Sequence, residues 1–316
     1  MRILVVGAGA TGGYFGGRLA EAGRDVTFLV RPKRAAQLAA NGLVIRSGKG
    51  DANVPSPRTI LAESIAEPFD LILLGCKAYD LDGAIAAFAP AVGPATAILP
   101  VLNGMRHLEV LDARFGRARV LAGQCIIAAT LDERGAIIHM NENHSLTFGE
   151  RDKGLSERVQ AIAAVMAGAR FEPRASDNAM QDMWEKWVVL ATLAGSTCLM
   201  RAAVGDIVAA PAGSDVVARM LEDCVAIASA NGHAPRADLI GRAVATLSAP
   251  GSTLTASMLR DVERGAAIEA DHIIGDLLAR GAVVERALVP SLLQVAYAHL
   301  KAYEARRTRT SAEKSA

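Results

Sequence analysis

Ile3-Leu4-Val5-Val6-Gly7-Ala8-Gly9-Ala10-Thr11-Gly12 reads as a short buried strand that runs into a glycine-rich turn and then opens a helix. Its glycines keep the GxGxxG spacing. Gly7 allows a tight turn, Gly9 lets the backbone approach a pyrophosphate, and Gly12 lets the helix pack on the strand. A helix N-terminus at this point offers N–H groups and partial positive charge to phosphate. The spacing alone is a weak signal; its place between strand and helix is what the chemistry needs, and it marks Gly7, Gly9, Ala10, Thr11 and Gly12 as cofactor-binding candidates.

The next strand, Val26 to Val30, decides which dinucleotide. NAD binders carry an acid at the end of this strand for the ribose 2′-hydroxyl. Here the stretch is Phe28-Leu29-Val30-Arg31-Pro32-Lys33-Arg34, with three cations and no acid. A 2′-phosphate would be drawn to it, with Arg31 placed to stack and pair, so NADP(H) is the expected cofactor. Lys33 and Arg34 also suit a solvated face.

Further apolar runs at Leu71 to Leu74 and Ala97 to Leu99 alternate with helical stretches near 10–22, 32–41, 80–88 and 106–114. This pattern fits a parallel sheet covered on both faces. Shorter strands from Ile126 to Phe148 are expected to extend that sheet in antiparallel fashion, followed by a helix near 155–168 and a strand near 170–174. From Asp177 the pattern is almost wholly helical, cut by Gly195, Gly205, Pro211, Gly232, Pro235, Pro250-Gly251, Gly265, Gly281 and Pro290. The expected fold is therefore α/β: an N-terminal Rossmann domain, doubly wound with a mainly parallel sheet (1–175), then an all-α substrate and catalytic domain (176–304). The polar, basic tail 305–316 is expected to be disordered.

The chain has 316 residues, 51% of them hydrophobic, and a formal net charge of +1. That suits two cores and provides no basic footprint for nucleic acid or anionic membrane. A small-molecule partner is favoured, and the prevalence of two-fold symmetry leaves room for a homodimer. Cys76, Cys125, Cys198 and Cys224 are scattered and read as ordinary thiols. His139, His144 and His272 lack metal-ligand spacing and read as structural, so no metal is expected. No stretch of roughly 20 apolar residues suggests a bilayer span, and no leader pattern is seen. The cytoplasm is the expected location.

Four stretches together resemble the ketopantoate reductase (2-dehydropantoate 2-reductase) family: Gly7 to Gly12, Cys76-Lys77-Ala78-Tyr79-Asp80, Leu102-Asn103-Gly104-Met105, and a C-terminal set around Lys186 and Glu269. The resemblance spans the chain except its tail. It implies a Rossmann domain joined to an all-α domain, with an active site in the cleft. Lys186 would be the general acid that protonates a ketone oxygen as NADPH delivers hydride. Glu269 would hold the lysine and the oxygen, and Ser257 the substrate carboxylate. Asn103 would lie beside nicotinamide and substrate, and Lys77 near the cofactor or the substrate carboxylate. The residues support part of this on their own. Lys186 sits among Met180, Met183, Trp184, Trp187, Val188 and Val189, where lost solvation pulls an ammonium pKa down. Lys77 and Asn103 follow strand ends, where open sheets bind ligands. Plainer readings also exist: a snorkelling lysine, an Asn-Gly turn, local backbone bonding by Ser257, and a helix-start role for Glu269.

The sequence departs from the family where asparagines are expected four, eight and about eighteen residues after the lysine: Leu190, Ala194 and Val204 stand there. Leaving a buried substrate hydroxyl unpaired costs about 1–3 kcal/mol. Either Thr192, Ser196, Thr197 or Arg201 supplies other polar groups, or the substrate is a more apolar 2-oxo acid. The resemblance implies 2-dehydropantoate 2-reductase activity in pantothenate and coenzyme A synthesis. The alternatives are a reductase of another, more apolar 2-oxo acid and a non-catalytic NADP(H)-binding sensor or scaffold.

Overall fold

The computed structural model describes residues 1–281 and 290–315 and falls into two compact units, Met1–Met180 and Gln181–Ala316. The division lies in the first turn of a long helix rather than at residue 175, where the composition changes.

The first unit contains β1 (Ile3–Val6), α1 (Ala10–Glu21), β2 (Val26–Leu29), α2 (Pro32–Asn41), β3 (Leu43–Arg46), β4 (Ala52–Val54), β5 (Thr59–Ile60) and β6 (Phe69–Leu74). It continues with α3 (Leu81–Phe88), β7 (Val92–Pro100), α4 (Arg106–Phe115), β8 (Ala122–Leu131), β9 (Ile137–Gly149), α5 (Glu157–Met166) and β10 (Glu172–Ala175). One sheet has the order β5-β2-β1-β6-β7 and is parallel throughout. Its register aligns Val6 with both Leu29 and Leu74, and Leu74 with Pro100, so the carboxyl ends of four strands are level. Every residue of β1 is buried, as a strand covered on both faces requires.

The later strands do not extend this sheet, contrary to the expectation from sequence. They form a second one, in which β9 is flanked on one side by β8, antiparallel, and on the other by β3 and β10, both parallel; β4 completes it against β3. An isolated bridge pairs Ile98 of β7 with Val120, two residues before β8. The short strands β4 and β5 recruit a stretch with no strong apolar run of its own, while β3 carries the run Leu43-Val44-Ile45.

Between these sheets lies α1, and its composition follows from that position. A Cβ on Gly12 would come within 2.3 Å of the Gly7 carbonyl oxygen, and one on Gly16 within 2.7 Å of Phe28. On the adjoining face, Cβ atoms on Gly13 and Gly17 would come within 2.7 Å of Ile137 and 2.6 Å of Leu43. Two glycine doublets, four residues apart, thus let one helix approach two sheets. Each interior glycine costs a helix about 1 kcal/mol against alanine, so the close packing must offset that. Tyr14, on the same helix, shares a hydrogen bond with His144 Nδ1 at 2.8 Å, while His139 is bonded through both ring nitrogens to Ser47, Asn141 and the Asn143 carbonyl.

The second unit is helical: α6 (Ala179–Met200), α7 (Val204–Ala209), α8 (Gly213–Ala230), α9 (Ala237–Leu247), α10 (Ser257–Glu263), a π-helical turn over Asp271–Gly275, α11 (Asp276–Arg280) and α12 (Leu292–Ser315). Gly195 does not break α6. It is buried where a Cβ would lie 2.3 Å from Met220 Sδ of α8, so it is a helix-contact residue. The tail expected to be disordered is helical as far as Ser315. Good helix formers carry it, with an Arg309–Glu313 pair one turn apart and Arg307 donating to the Gly265 carbonyl. No helix among the described residues is long and apolar enough to cross a membrane.

Candidate active site

The cofactor candidates of the first unit share one edge of the parallel sheet. Gly7 follows β1, Arg31 follows β2, Lys77 follows β6, and Asn103 follows β7. Since those strand ends are level, adjacency in the sheet becomes adjacency of the four loops. Gly7 adopts φ +90°, in the left-handed region that favours glycine, and its N–H donates to the Leu29 carbonyl. Gly9 caps α1 in extended conformation with no side-chain cap, and no acid stands in the helix's first turn. A Cβ at Gly7 or Gly9 would meet no protein atom within 4 Å, whereas one at Gly12 collides with the loop itself. Backbone N–H groups at a bare helix N-terminus, beside glycines open to approach, suit a pyrophosphate. The residues therefore fit a dinucleotide.

At the far end of this edge, Arg31 is exposed and donates from Nη2 to Asp80 Oδ1 at 2.8 Å. Lys33 is exposed as well. Arg34 is not on a solvated face. Its Nε donates to the Ala8 carbonyl at 2.9 Å and its Nη1 to the Gly135 carbonyl at 3.0 Å and to Gln37, and burial lowers its pKa from the usual arginine value. It braces the glycine loop from below. Nothing in the sequence separates it from Lys33, because its partners lie as far off as Gly135. Asn103 is half-buried, and the turn after it is completed by Gly104 at φ +73°.

Lys186, Ser257 and Glu269 all belong to the second unit. Lys186 is half-buried on α6 and shares that state with Leu190 one turn on, while Met183, Trp184, Glu185, Trp187 and Val188 around it are buried. Trp187 Nε1 donates to the Ile273 carbonyl at 2.8 Å. Ile273 N–H in turn donates to the carbonyl of Glu269, whose residue is 7% exposed. One buried indole thus pins the lysine's helix to the segment that carries the glutamate, and that segment contains the π turn, a feature often found at functional sites. Ser257 begins α10, and the neighbouring Ala256 N–H donates to Thr197 Oγ1 of α6.

The sequence reading missed the support beneath Lys186. Glu185 is 2% exposed and accepts from the Arg236 side chain and backbone N–H and from Gln181 Nε2, while Arg236 also reaches Asp182. Burial pushes the Glu185 carboxyl up, but these bonds and the Arg236 charge outweigh it and hold it below the usual carboxylate range. Trp184 stacks on His233, with ring centroids 5.2 Å apart.

Of the polar residues that could stand in for the missing amides, Arg201 is exposed, and Thr192, Ser196 and Thr197 spend their hydroxyl protons within α6. These three are buried, and each hydroxyl donates to the carbonyl four residues back, at 2.8, 2.7 and 2.6 Å. Ala194 and Val204 are buried too. Burial pushes the Cys198 and Cys224 thiols up to about 12, as expected of inert core cysteines. Among the described residues no group of three or more His, Cys, Asp or Glu could hold a metal ion.

Two family models match the chain: Ketopantoate reductase PanE/ApbA over residues 3–153, and Ketopantoate reductase PanE/ApbA C terminal over 178–304. An uncharacterized oxidoreductase of Bacillus subtilis (strain 168), YkpB, is 37% identical over 307 residues, covering 97% of this chain and 100% of the relative. The 2-dehydropantoate 2-reductase of Halobacterium salinarum is 27% identical over 288 residues, covering 91% and 92%. The crystal structure of the 2-dehydropantoate 2-reductase of Geobacter metallireducens superposes with a TM-score of 0.86 at 28% identity, over 95% of this chain and 99% of that one.

Proposed function

Because the chain belongs to the ketopantoate reductase family of oxidoreductases, we propose that it reduces a 2-oxo acid to the 2-hydroxy acid with NADPH, Lys186 serving as general acid. The observation that carries this reading is the half-open face of α6 at Lys186, fixed through Trp187 and Ile273 to the segment of Glu269. Gly7 to Gly12 would hold the pyrophosphate, Arg31 the 2′-phosphate, and Lys77 and Asn103 the remainder of the cofactor edge. When bound, NADPH supplies hydride to the carbonyl carbon. Lys186, as ammonium, gives a proton to the carbonyl oxygen as negative charge develops there. Glu269 keeps the ammonium and the oxygen in line. Ser257 donates a hydrogen bond to the substrate carboxylate, and Asn103 fixes the carbonyl's orientation.

A second reading concerns the substrate. Leu190, Ala194 and Val204 replace the amides expected for a hydroxylated substrate, and the nearby hydroxyls of α6 are tied to their own helix. This favours a 2-oxo acid more apolar than ketopantoate over a role in pantothenate synthesis. Steady-state NADPH oxidation against a panel of 2-oxo acids tests both readings. Turnover with any of them supports the reaction. Ketopantoate ranking first would sink the apolar reading, and no turnover alongside tight NADPH binding would favour a sensor instead.

A further inference from the structure

We propose that Asp80 is a cofactor-selecting residue, whose carboxylate engages Arg31 so that a 2′-phosphate must compete for the guanidinium with an acid built into the fold. The inference rests on the NADP(H) reading above and adds a residue that acts against it.

The acid that NAD binders place at the end of the second strand is absent after β2, but the structure returns one to that neighbourhood from another loop. β2 and β6 flank β1 in the sheet, and Leu29 and Leu74 stand level on either side of Val6. Arg31 and Asp80 follow these two strands, and their 2.8 Å contact ties together the loops on both sides of Gly7. Asp80 also occupies the N-cap position of α3, where aspartate ordinarily accepts a hydrogen bond from the first turn. Its side chain makes no such bond and is committed to Arg31, 49 residues away in sequence. Arg31 precedes Pro32 at the start of α2, where a guanidinium has no acceptor to offer the helix N–H groups and so stays available to Asp80.

The pair is open to solvent, with side chains 78% and 39% exposed. Exposed pairs are weak, so a phosphate dianion can displace the carboxylate. The carboxylate nonetheless stays within a Debye length of that phosphate and repels it. Asp80 is thus a positioning residue that narrows the preference Arg31 would confer alone.

Equilibrium titration of the full chain with NADPH and with NADH tests this in wild type, Asp80→Asn, Arg31→Ala and the double variant. Asp80→Asn should tighten NADPH about three- to fivefold and leave NADH within about twofold, with an unchanged melting temperature. In the Arg31→Ala background the gain should shrink to about twofold or less. An unchanged NADPH to NADH ratio in Asp80→Asn overturns the proposal. So does weakened NADH with unchanged NADPH, since Asp80 would then serve the ribose itself. If Arg31→Ala weakens NADPH while Asp80→Asn does nothing, the cofactor reading stands and this inference falls. If wild type prefers NADH but Asp80→Asn shifts the ratio as stated, the inference stands and the cofactor reading falls.

Discussion

The two units present chemistry by opposite means. In the first, the edge of the parallel sheet offers backbone: glycines, a bare helix start, and loops that follow level strand ends. In the second, the face of α6 offers side chains held by deep supports, the Trp187 bond to Ile273 and the Glu185–Arg236 pair. A backbone site fails when any atom is added to it. A side-chain site fails when a support is removed.

The sharpest separation should come from Lys186→Ala. We expect kcat to fall about 10²- to 10⁴-fold, the usual worth of a general acid, while NADPH affinity stays within about twofold; equal losses of both would erase the distinction between the units. Next is Gly12→Ala, whose added Cβ would lie 2.3 Å from the Gly7 carbonyl oxygen. Backbone cannot move aside, so a cost of about 2–3 kcal/mol is expected in denaturant unfolding, with weakened NADPH binding.

Glu185→Gln probes the opposite kind of site. The folded-state pKa of Glu185 lies below its ordinary value, so its contribution is full above the unfolded carboxylate pKa and is lost as pH falls through the folded one. The variant should be less stable by about 1–2 kcal/mol at pH 7, a figure discounted for the half-exposed Arg236. Melting curves of the two proteins should converge on acidification, and a constant gap would mean the charge is not what stabilises. The smallest effect is expected from Gly195→Ala. Its Cβ overlap is also 2.3 Å, but against the thioether of Met220, which can change rotamer. A change within about 1 kcal/mol is expected, partly offset by alanine's helix propensity. If Gly195→Ala proved as damaging as Gly12→Ala, the nature of the neighbouring atom would not be the deciding factor.

What could be read from the sequence follows the range of each interaction. The strand, loop and helix at Ile3 to Gly12 were legible because every requirement falls within ten adjacent positions. The level strand ends behind Arg31, Lys77 and Asn103 followed from repetition of the same unit. Glu185 was not legible, since its partner lies 51 residues on and an acid between Trp184 and Trp187 carries no mark of pairing. Arg34 looked like Lys33 for the same reason. The hydroxyls of Thr192, Ser196 and Thr197 looked available because their alternative partners are carbonyls, which every residue has. β4 and β5 escaped notice because two or three residues give too short a period to register, whereas Leu43-Val44-Ile45 of β3 was an apolar run as readable as that of β1. The doublets Gly12-Gly13 and Gly16-Gly17 were the overlooked signal, since glycine pairs one turn apart in a helix imply contact on two faces.

That wedged position of α1 bears on how the protein is made. Gly13 and Gly17 meet Ile137, Leu43 and Ile45, and Ile45 itself pairs with Ile137. The helix that follows the first strand therefore reaches its final seat only after a segment more than a hundred residues later has been synthesised and zipped to β3. Such high contact order slows folding. On the ribosome, the nucleotide loop is translated first, yet the contact of its helix with Ile137 has to wait until that residue has been made.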